Sequence, residues 1–481
     1  MKFSSILRVI GLFLILYSTA LLPPIFLSFL YGDHEEVQFT EVFALTLSLG
    51  LLIWWPVRRN RLDLRRREGF LIVALFWVVM SLLGSLPFML NDVLGFTDAF
   101  FEAASAFTTT GATVITGLDD LPRSLLFYRS ELQWLGGMGI IVLAVAILPM
   151  LGIGGMALYR AETPGPMKDD KLTPRIAHSA RAFWGIYVGL TVACALGYWG
   201  AGMTPFDAVA HSFTTVSTGG FSTHDASMGY FQSPAIEAVA DLFMLMGGIN
   251  FSIHFLVWRS RRLSNYLRDA EVLTYFGVVL IASLIIALTL TLTGIYGGFD
   301  TSLRHSVFHV ISIMTSTGFT SQDFTTWPFF LPTLLFFISF IGGCAGSTAG
   351  GIKVMRIIII FKQGLRDIFR LMHPHIVSSI KINGRVLPQR SMDAVWGFFA
   401  LYIATFAVYM LLLMATGMDQ VTAFSAVATT LNNTGPGLGT VTTNFQVVGD
   451  FGKWLLASAM LLGRLEIFTL LVIFSPEFWR A

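Results

Sequence analysis

Asp98-Ala99-Phe100-Phe101 through Thr108-Thr109-Thr110-Gly111-Ala112 is a short, apolar, helix-compatible segment that closes on a Thr-Gly step. The same design returns from Phe206-Asp207-Ala208-Val209 to Val216-Ser217-Thr218-Gly219-Gly220, and from Ser302-Leu303-Arg304-His305 to Ser316-Thr317-Gly318-Phe319. It returns once more from Asp419-Gln420-Val421 to Asn432-Asn433-Thr434-Gly435-Pro436. Matched on Thr-Gly, the four glycines are Gly111, Gly219, Gly318 and Gly435. A second landmark follows each of them, at Gly136-Gly137, Gly247-Gly248, Gly342-Gly343 and Gly463. Self-similarity of this kind outranks any local motif in deciding a fold. Ordinary outer turns would also hold glycine, but that reading leaves the apolar segment before each glycine unexplained.

The rest of the chain is built for a membrane. Hydrophobic residues make up 54% of its 481 residues and charged ones only 12%, against about 25% charged in soluble domains. Mean hydropathy is +0.70. A net charge of +2 excludes a polybasic nucleic-acid binder and an acidic disordered chain. Cys194 and Cys344 stand far apart in apolar surroundings, so no disulfide framework or CxxC metal site is expected. Runs long enough to span lie near 9–30, 41–57, 70–90, 132–158, 182–200, 235–257, 271–294, 328–361, 393–416 and 451–475. The first is too long for a signal-peptide core and is read as a retained span.

With the N-terminus in the cytoplasm, 26 of the 31 Lys and Arg fall on inner segments; Arg123, Arg129, Arg304 and Lys453 fall outside, and Arg464 within a span. That is the positive-inside pattern, and it places both termini in the cytoplasm. The Thr-Gly stretches then lie on the outer side, between consecutive spans. The unit is span, re-entrant half-helix, loop, span, repeated four times. Expected boundaries are 1–68 for an N-terminal two-helix hairpin, then 69–159, 160–268, 269–362 and 363–481, the last preceded by a cytosolic linker. The fold class is an all-α polytopic membrane protein with pseudo-fourfold symmetry.

Irregular backbone survives in hydrocarbon only when buried in protein or lining a wet cavity. Four such loops around one axis do both. A monovalent cation must trade its water shell for oxygens, and rings of backbone carbonyls supply them without a charge that would trap it. Glycine permits the positive φ that turns successive carbonyls toward one line. The candidate ion-binding residues are Thr110, Gly111, Thr218, Gly219, Thr317, Gly318, Thr434 and Gly435. Each half-helix points its partly negative C-terminus at the centre. Asp98, Asp207 and Asp419 suit N-caps of those half-helices.

The Thr-Gly loops, with Ile341-Gly342-Gly343-Cys344-Ala345-Gly346-Ser347-Thr348-Ala349-Gly350-Gly351-Ile352-Lys353 and Gly463-Arg464-Leu465-Glu466, resemble the TrkH/KtrB/HKT superfamily of potassium transporters. The likeness covers nearly the whole chain, and the N-terminal hairpin is similar to the TrkH branch. It implies a K+-uptake pore in the bacterial cytoplasmic membrane, a homodimer among membrane lipid, and a cytosolic nucleotide-binding regulatory subunit of TrkA type. No organic cofactor, nucleic acid or enzymatic activity is implied. The fourth loop departs most, because Pro436 follows Gly435.

The eighth span is interrupted by Cys344, Ala345, Gly346, Ser347, Thr348, Ala349, Gly350 and Gly351. One reading is a small-residue packing face. The other is an irregular loop protruding below the filter as a gate, and the resemblance assigns the gating loop there. Arg464 is the intramembrane cation, and such groups face a cavity or a partner. It is read as lying under the filter, bonded to loop carbonyls; snorkelling to the inner surface is the alternative. Glu466, two positions along, does not face it on a helix. His305 and His309 have i,i+4 spacing without a third ligand, and are placed on a half-helix surface. No Walker motif, GxGxxG or HExxH occurs, and Gly346-Ser347-Thr348-Ala349-Gly350 is not a nucleophile elbow. The segments 353–393, 160–181 and 259–271 are the cytosolic surfaces for a regulator, with Arg366 and Arg370 as contacts. A secondary carrier built from paired inverted repeats is the other class of function. Coupling of uptake to H+ or Na+ stays open.

Overall fold

The computed structural model describes residues 3–59, 66–137, 139, 176–373, 379–465 and 467–480. Several expectations therefore lie outside the described residues: most of the loop 160–181, the second half of the run 132–158, and Glu466.

An N-terminal hairpin is formed by α1 (Phe3–Thr19) with α2 (Leu22–Tyr31), returning as α3 (Glu36–Val57). Gly11 and Gly50 let its two arms touch: a β-carbon on Gly11 would lie 2.8 Å from the Trp54 backbone nitrogen. Small residues permit such close crossings in membranes.

Four units follow. The first is α4 (Arg66–Gly84) extended by α5 (Leu86–Leu90), the half-helix α6 (Phe96–Phe107) and α7 (Arg123–Gly137). The second is α8 (Ile176–Gly200), the half-helix α9 (Pro205–Val216), and α10 (Pro234–Gly247) with α11 (Phe251–Ser260). The third is α12 (Ala270–Leu292), the half-helix α13 (Phe299–Met314), and α14 (Leu331–Ile341) with α15 (Val354–Met372). The fourth is α16 (Gln389–Ala415), the half-helix α17 (Gln420–Asn432), and α18 (Asp450–Arg464) with α19 (Phe468–Phe474). Six described helices are long and apolar enough to cross a bilayer, and α10–α11 adds a seventh if its halves, bent by 96°, are one span. That bend was not legible in the sixth apolar run. It falls at Gly248-Ile249-Asn250, where the Asn250 carboxamide caps α11 by accepting from Ser252 N at 2.8 Å.

The units close on one another. The half-helix α9 packs on α7, α13 on α10, α17 on α14, and α6 on α18. Each half-helix is thus bedded on the last span of the preceding unit, and the fourth unit meets the first. The repeats share one orientation in a cyclic, pseudo-fourfold arrangement.

The second glycine landmark explains itself in this packing. A β-carbon on Gly136 would lie 1.9 Å from Phe107 O, on Gly463 2.1 Å from Leu431 O, and on Gly247 3.2 Å from Val216 O. These glycines let a span slide past the backbone at the end of a half-helix. The third unit differs because its span is broken there, so Gly342 meets Gly350 O of its own loop.

Two local expectations are corrected. Asp419 is the N-cap of α17, accepting from Thr422 N at 3.1 Å. The N-caps of α6 and α9, however, are Gly95 and Thr204. Asp98 instead pairs with Lys453 of α18 at 2.6 Å, and Asp207 accepts from the Thr204 and Thr223 hydroxyls at 2.7 and 2.8 Å. Among the described residues there is also one small hairpin, Lys381–Ile382 paired with Arg385–Val386. Its Asn383-Gly384 turn has positive φ at both residues, the two-residue turn that matches strand twist. Asn383 docks it on α12 by accepting from Ala270 N at 2.8 Å.

Gly136→Ala forces its new methyl onto backbone that cannot retreat, and overpacking of this kind costs about 1–3 kcal/mol. Gly189→Ala, in α8 with nothing within 4 Å, is expected to be neutral or stabilising by about 0.5–1 kcal/mol. Thermal unfolding of the two purified variants in detergent checks the contrast.

Candidate functional site

The loops after the four half-helices have one backbone conformation. Positive φ occurs at Thr109 and Gly111, at Thr218 and Gly220, at Ser316 and Gly318, and at Asn433 and Gly435. Between each such pair, a backbone N–H turns back into its half-helix. Thr110 N donates to Ser105 O at 2.8 Å, Gly219 N to Thr214 O at 2.8 Å, Thr317 N to Ser312 O at 2.9 Å, and Thr434 N to Thr429 O at 2.8 Å. Gly220, not Gly219, is therefore the counterpart of Gly111, Gly318 and Gly435. Matching on Thr-Gly slipped by one residue in the second loop, and Gly219 stands where the other loops carry Thr110, Thr317 and Thr434.

The loops meet in a ring. A β-carbon on Gly111 would lie 2.3 Å from Gly219 O, on Gly220 1.7 Å from Thr317 O, on Gly318 2.0 Å from Thr434 O, and on Gly435 2.9 Å from Thr110 O. Each left-handed glycine abuts the carbonyl before the next loop's glycine, and the fourth loop returns to the first. Positive φ and this approach each demand glycine. Among the described residues, no group donates to the carbonyls of Thr110, Thr317 or Thr434, whereas Gly219 O accepts from Gln133 Nε2 at 2.7 Å. The ring thus gathers carbonyl dipoles that carry no formal charge.

Side chains behind the ring fix it, and the sequence reading missed them. The carboxylate of Glu102, fully buried on α6, accepts from Arg129 Nε and Nη2 at 3.0 and 2.8 Å and from Val114 N at 2.9 Å. Arg129 also donates to Ser222 O at 3.2 Å. Asn433 donates to the Thr110 hydroxyl at 2.8 Å, tying the fourth loop to the first. The available signal was Tyr128-Arg129-Ser130-Glu131-Leu132-Gln133, a polar cluster opening an apolar run.

The segment between α14 and α15 is irregular, with positive φ at Gly342, Gly346, Gly351 and Lys353. It sits against the half-helix ends. Thr348 Oγ1 donates to Val216 O or Gly247 O, each at 3.1 Å. Gly350 N donates to Ser316 Oγ at 2.5 Å and Gly351 N to Asn432 O at 3.2 Å. Glu271 holds both its arms, accepting from Ala345 N at 2.7 Å and Met355 N at 3.0 Å. Arg464 completes the enclosure: Nη1 donates to Thr348 O at 2.9 Å, and Nη2 to Gly136 O at 3.0 Å and Gly137 O at 3.3 Å. The structure thus brings Arg464 and residues 344–351 together beneath the ring, with the arginine bonded to one loop carbonyl, Thr348 O, and to the last two carbonyls of α7 rather than extended to the surface.

His305 and His309 are buried, not surface residues. His309 bonds His305 O at 2.8 Å and Gln322 O at 3.0 Å, stapling α13 to its outer loop. Among the described residues no cluster of three His, Cys, Asp or Glu is arranged to hold a metal, and both cysteines are free and buried. Arg366 is a poor docking contact, being buried against Asp367 and the Met392 sulfur; Arg370 is exposed.

Outside the spans, His224 clasps the first two loops. Its Nδ1 lies 2.5 Å from Asp119 Oδ1 and its Nε2 3.5 Å from Asp207 Oδ1, while the ring stacks on Tyr230 at 3.5 Å. Burial pulls the imidazole pKa down, but the Asp207 and Asp119 carboxylates outweigh it, leaving a net rise above 6.5. A raised histidine pKa stabilises the fold fully below the unfolded value, and that contribution is lost as pH climbs through the folded one. The His224 contribution to thermal stability is therefore expected to be full below about pH 6.5 and to decline as pH rises above it. In His224→Gln this part of the slope should vanish.

A family model described as "Cation transport protein", TrkH, matches residues 35–481. The chain is 54% identical to the Trk system potassium uptake protein TrkH of Vibrio parahaemolyticus and 52% identical to that of Escherichia coli, covering 100% of each chain in both comparisons. It is 40% identical to the Trk system potassium uptake protein TrkG of Escherichia coli, over 98% of this chain and 97% of that one. Its fold superimposes on the crystal structure of the potassium transporter TrkH from Vibrio parahaemolyticus with a TM-score of 0.91 at 51% identity, covering both chains completely.

Proposed function

The chain belongs to the TrkH family of cation transport proteins, which are transporters rather than enzymes, and on that premise we propose that it is a potassium-uptake pore. The observation that carries this reading is the closed ring in which each loop's glycine abuts the next loop's carbonyl. K+ is the cargo, taken from the outer side. Its oxygens come from the loops at Thr110-Gly111, Thr218-Gly219-Gly220, Thr317-Gly318 and Thr434-Gly435. A neutral ring of carbonyls replaces hydration without trapping the ion. The membrane potential drives entry, at about 2.3 kcal/mol per charge for 100 mV.

Residues 344–351 and Arg464 form the gate. The loop lies across the half-helix C-termini, and the guanidinium adds a positive barrier on the exit side. The proposed repeats keep the sequence expectation of a hairpin 1–68 followed by 69–159, 160–268, 269–362 and 363–481, except that α4 already begins at Arg66 and α15 carries the third unit on to Met372. The pore works in the bacterial cytoplasmic membrane with both termini inside, as a homodimer regulated by a cytosolic nucleotide-binding partner of TrkA type. Exposed Arg370 and Lys362, rather than Arg366, are offered to that partner. The carrier alternative is disfavoured because all four units run in one orientation, whereas alternating-access carriers of that kind pair inverted repeats.

Uptake of 86Rb+ into proteoliposomes, competed by K+, Na+ and Cs+, tests the pore. Gly318→Ser puts a β-carbon against Thr434 O at a left-handed position, and K+ preference over Na+ is expected to fall by about tenfold, a 1.4 kcal/mol change. Arg464→Ala is expected to raise flux in the resting state by about the same factor. Undiminished selectivity in the first variant refutes the filter; unchanged resting flux in the second refutes the gating role.

A further inference from the structure

The ring is unequal at one place, and a side chain from another unit fills the gap. Three loops carry threonine immediately before the left-handed glycine, and the second carries Gly219. In two of the others the hydroxyl is braced within the loop: Thr110 Oγ1 lies 2.7 Å from Thr108 Oγ1, and Thr317 Oγ1 lies 2.7 Å from Thr315 Oγ1. Gly219 has no such brace. Its φ is not positive, so the backbone there does not itself require glycine.

Gln133 requires it. This fully buried residue comes from α7 of the first unit. A β-carbon on Gly219 would lie 2.4 Å from Gln133 Oε1 and 2.5 Å from its Cδ, so the glutamine occupies the space a residue-219 side chain would take. Its Nε2 donates to Gly219 O at 2.7 Å, and its Oε1 accepts from Phe221 N at 3.0 Å. One helical turn earlier, Arg129 holds Ser222 O. The second loop is thus gripped at 219, 221 and 222 from a single helix of the neighbouring unit. Gly219 O is also the carbonyl against which Gly111 packs.

We propose that Gln133 is a specificity-determining positioning residue: its carboxamide stands in for the missing threonine, fixes the Gly219 carbonyl within the ring, and thereby sets the discrimination between K+ and smaller cations. The inference rests on the filter reading above. A glycine freed of its bond can rotate its peptide, and one oxygen then follows a smaller ion inwards. The bond also draws on one of four carbonyls that are otherwise without donors, so it sets the dipole strength offered on that side.

The test compares Gln133→Met, Gln133→Ala, Gly219→Thr, and the double variant Gln133→Ala with Gly219→Thr, in 86Rb+ uptake competed by K+ and Na+. Each variant is first checked for folding by size-exclusion chromatography in detergent. Met keeps the length and removes both bonds, and its K+ over Na+ preference is expected to fall about fivefold to tenfold, the scale of one lost buried hydrogen bond. Gly219→Thr alone should be worse, since it collides with Gln133. The double variant gives the second loop the threonine of its three counterparts and is expected to return to within about twofold of the native preference.

A native preference in folded Gln133→Met, with only total flux reduced, overturns the proposal. So does a double variant no more selective than Gln133→Ala, and this arm decides the matter if the methionine variant does not fold. Gly318→Ser, run alongside, separates the two levels. Lost selectivity there with none lost at Gln133 refutes this inference alone, whereas retained selectivity in both refutes the filter itself.

Discussion

The loops are drawn together because a half-helix that ends inside the protein leaves its last backbone groups in need of partners. Lipid offers no partner, so those groups must be satisfied within the protein or face a water-filled cavity. The chain answers with two left-handed residues per loop, which send the N–H between them back to the half-helix, as Thr110 N does to Ser105 O. Donors are consumed inside each loop and carbonyls are left over. On the proposed pore reading, the four loops share an axis along which those surplus carbonyls can meet a cation or water. The ring of glycine-to-carbonyl contacts is the geometric result, and the landmark glycines behind it let the spans come close enough to hold it.

The closure is cyclic, but the parts that enforce it are not equivalent. A buried ion pair within the first unit, Glu102 with Arg129, links loops one and two, since Glu102 accepts from Val114 N of the first and Arg129 donates to Ser222 O of the second. Removing one partner from such a pair costs about 3–5 kcal/mol, since the other is left as an unpaired buried charge. Loops four and one are joined through Asn433 and the Thr110 hydroxyl. The third and fourth half-helices are engaged from below by the irregular segment of the third unit. A covalently linked tetramer can divide its labour in this way, which a fourfold assembly of identical chains cannot do.

The overall architecture could be read from the sequence because its signals are local and repeated. An apolar segment before Thr-Gly, a glycine pair downstream, a glycine-rich break in one span and a lone arginine in another can each be seen without knowing any partner. What escaped reading is non-local or degenerate. Gly219-Gly220 offers two glycines for one left-handed position, so the match to Gly111 was ambiguous until φ resolved it. Gln133 and Glu102 look like stray polar residues until their partners, 86 residues and one loop away, are known. Asp98 and Asp207 had the right spacing for caps, but Lys453 and Thr204 claim them instead. The Asn383-Gly384 turn was legible and was overlooked amid helical signals.

The same division bears on how the proposed gate in the third unit could be both firm and movable. Its hold on the half-helix ends runs through Thr348 Oγ1, Gly350 N and Gly351 N, and the guanidinium of Arg464 adds a charge-assisted bond to Thr348 O. Neutral hydrogen bonds contribute about 1 kcal/mol net apiece and charge-assisted ones about 1.5–3, so the clasp amounts to roughly 5 kcal/mol. Inverting a two-state equilibrium from 1:99 to 99:1 takes about 5.5 kcal/mol. On the proposed gating role, the clasp is thus strong enough to keep the pore shut unaided, yet weak enough for one bound partner to release. α15 leaves the segment directly at Lys353, so a displacement of that helix would act first on Lys353 and Gly351. Among the described residues, the segment bonds to the half-helix ends through its backbone and one threonine, so on the proposed gating role these are the contacts that opening would break.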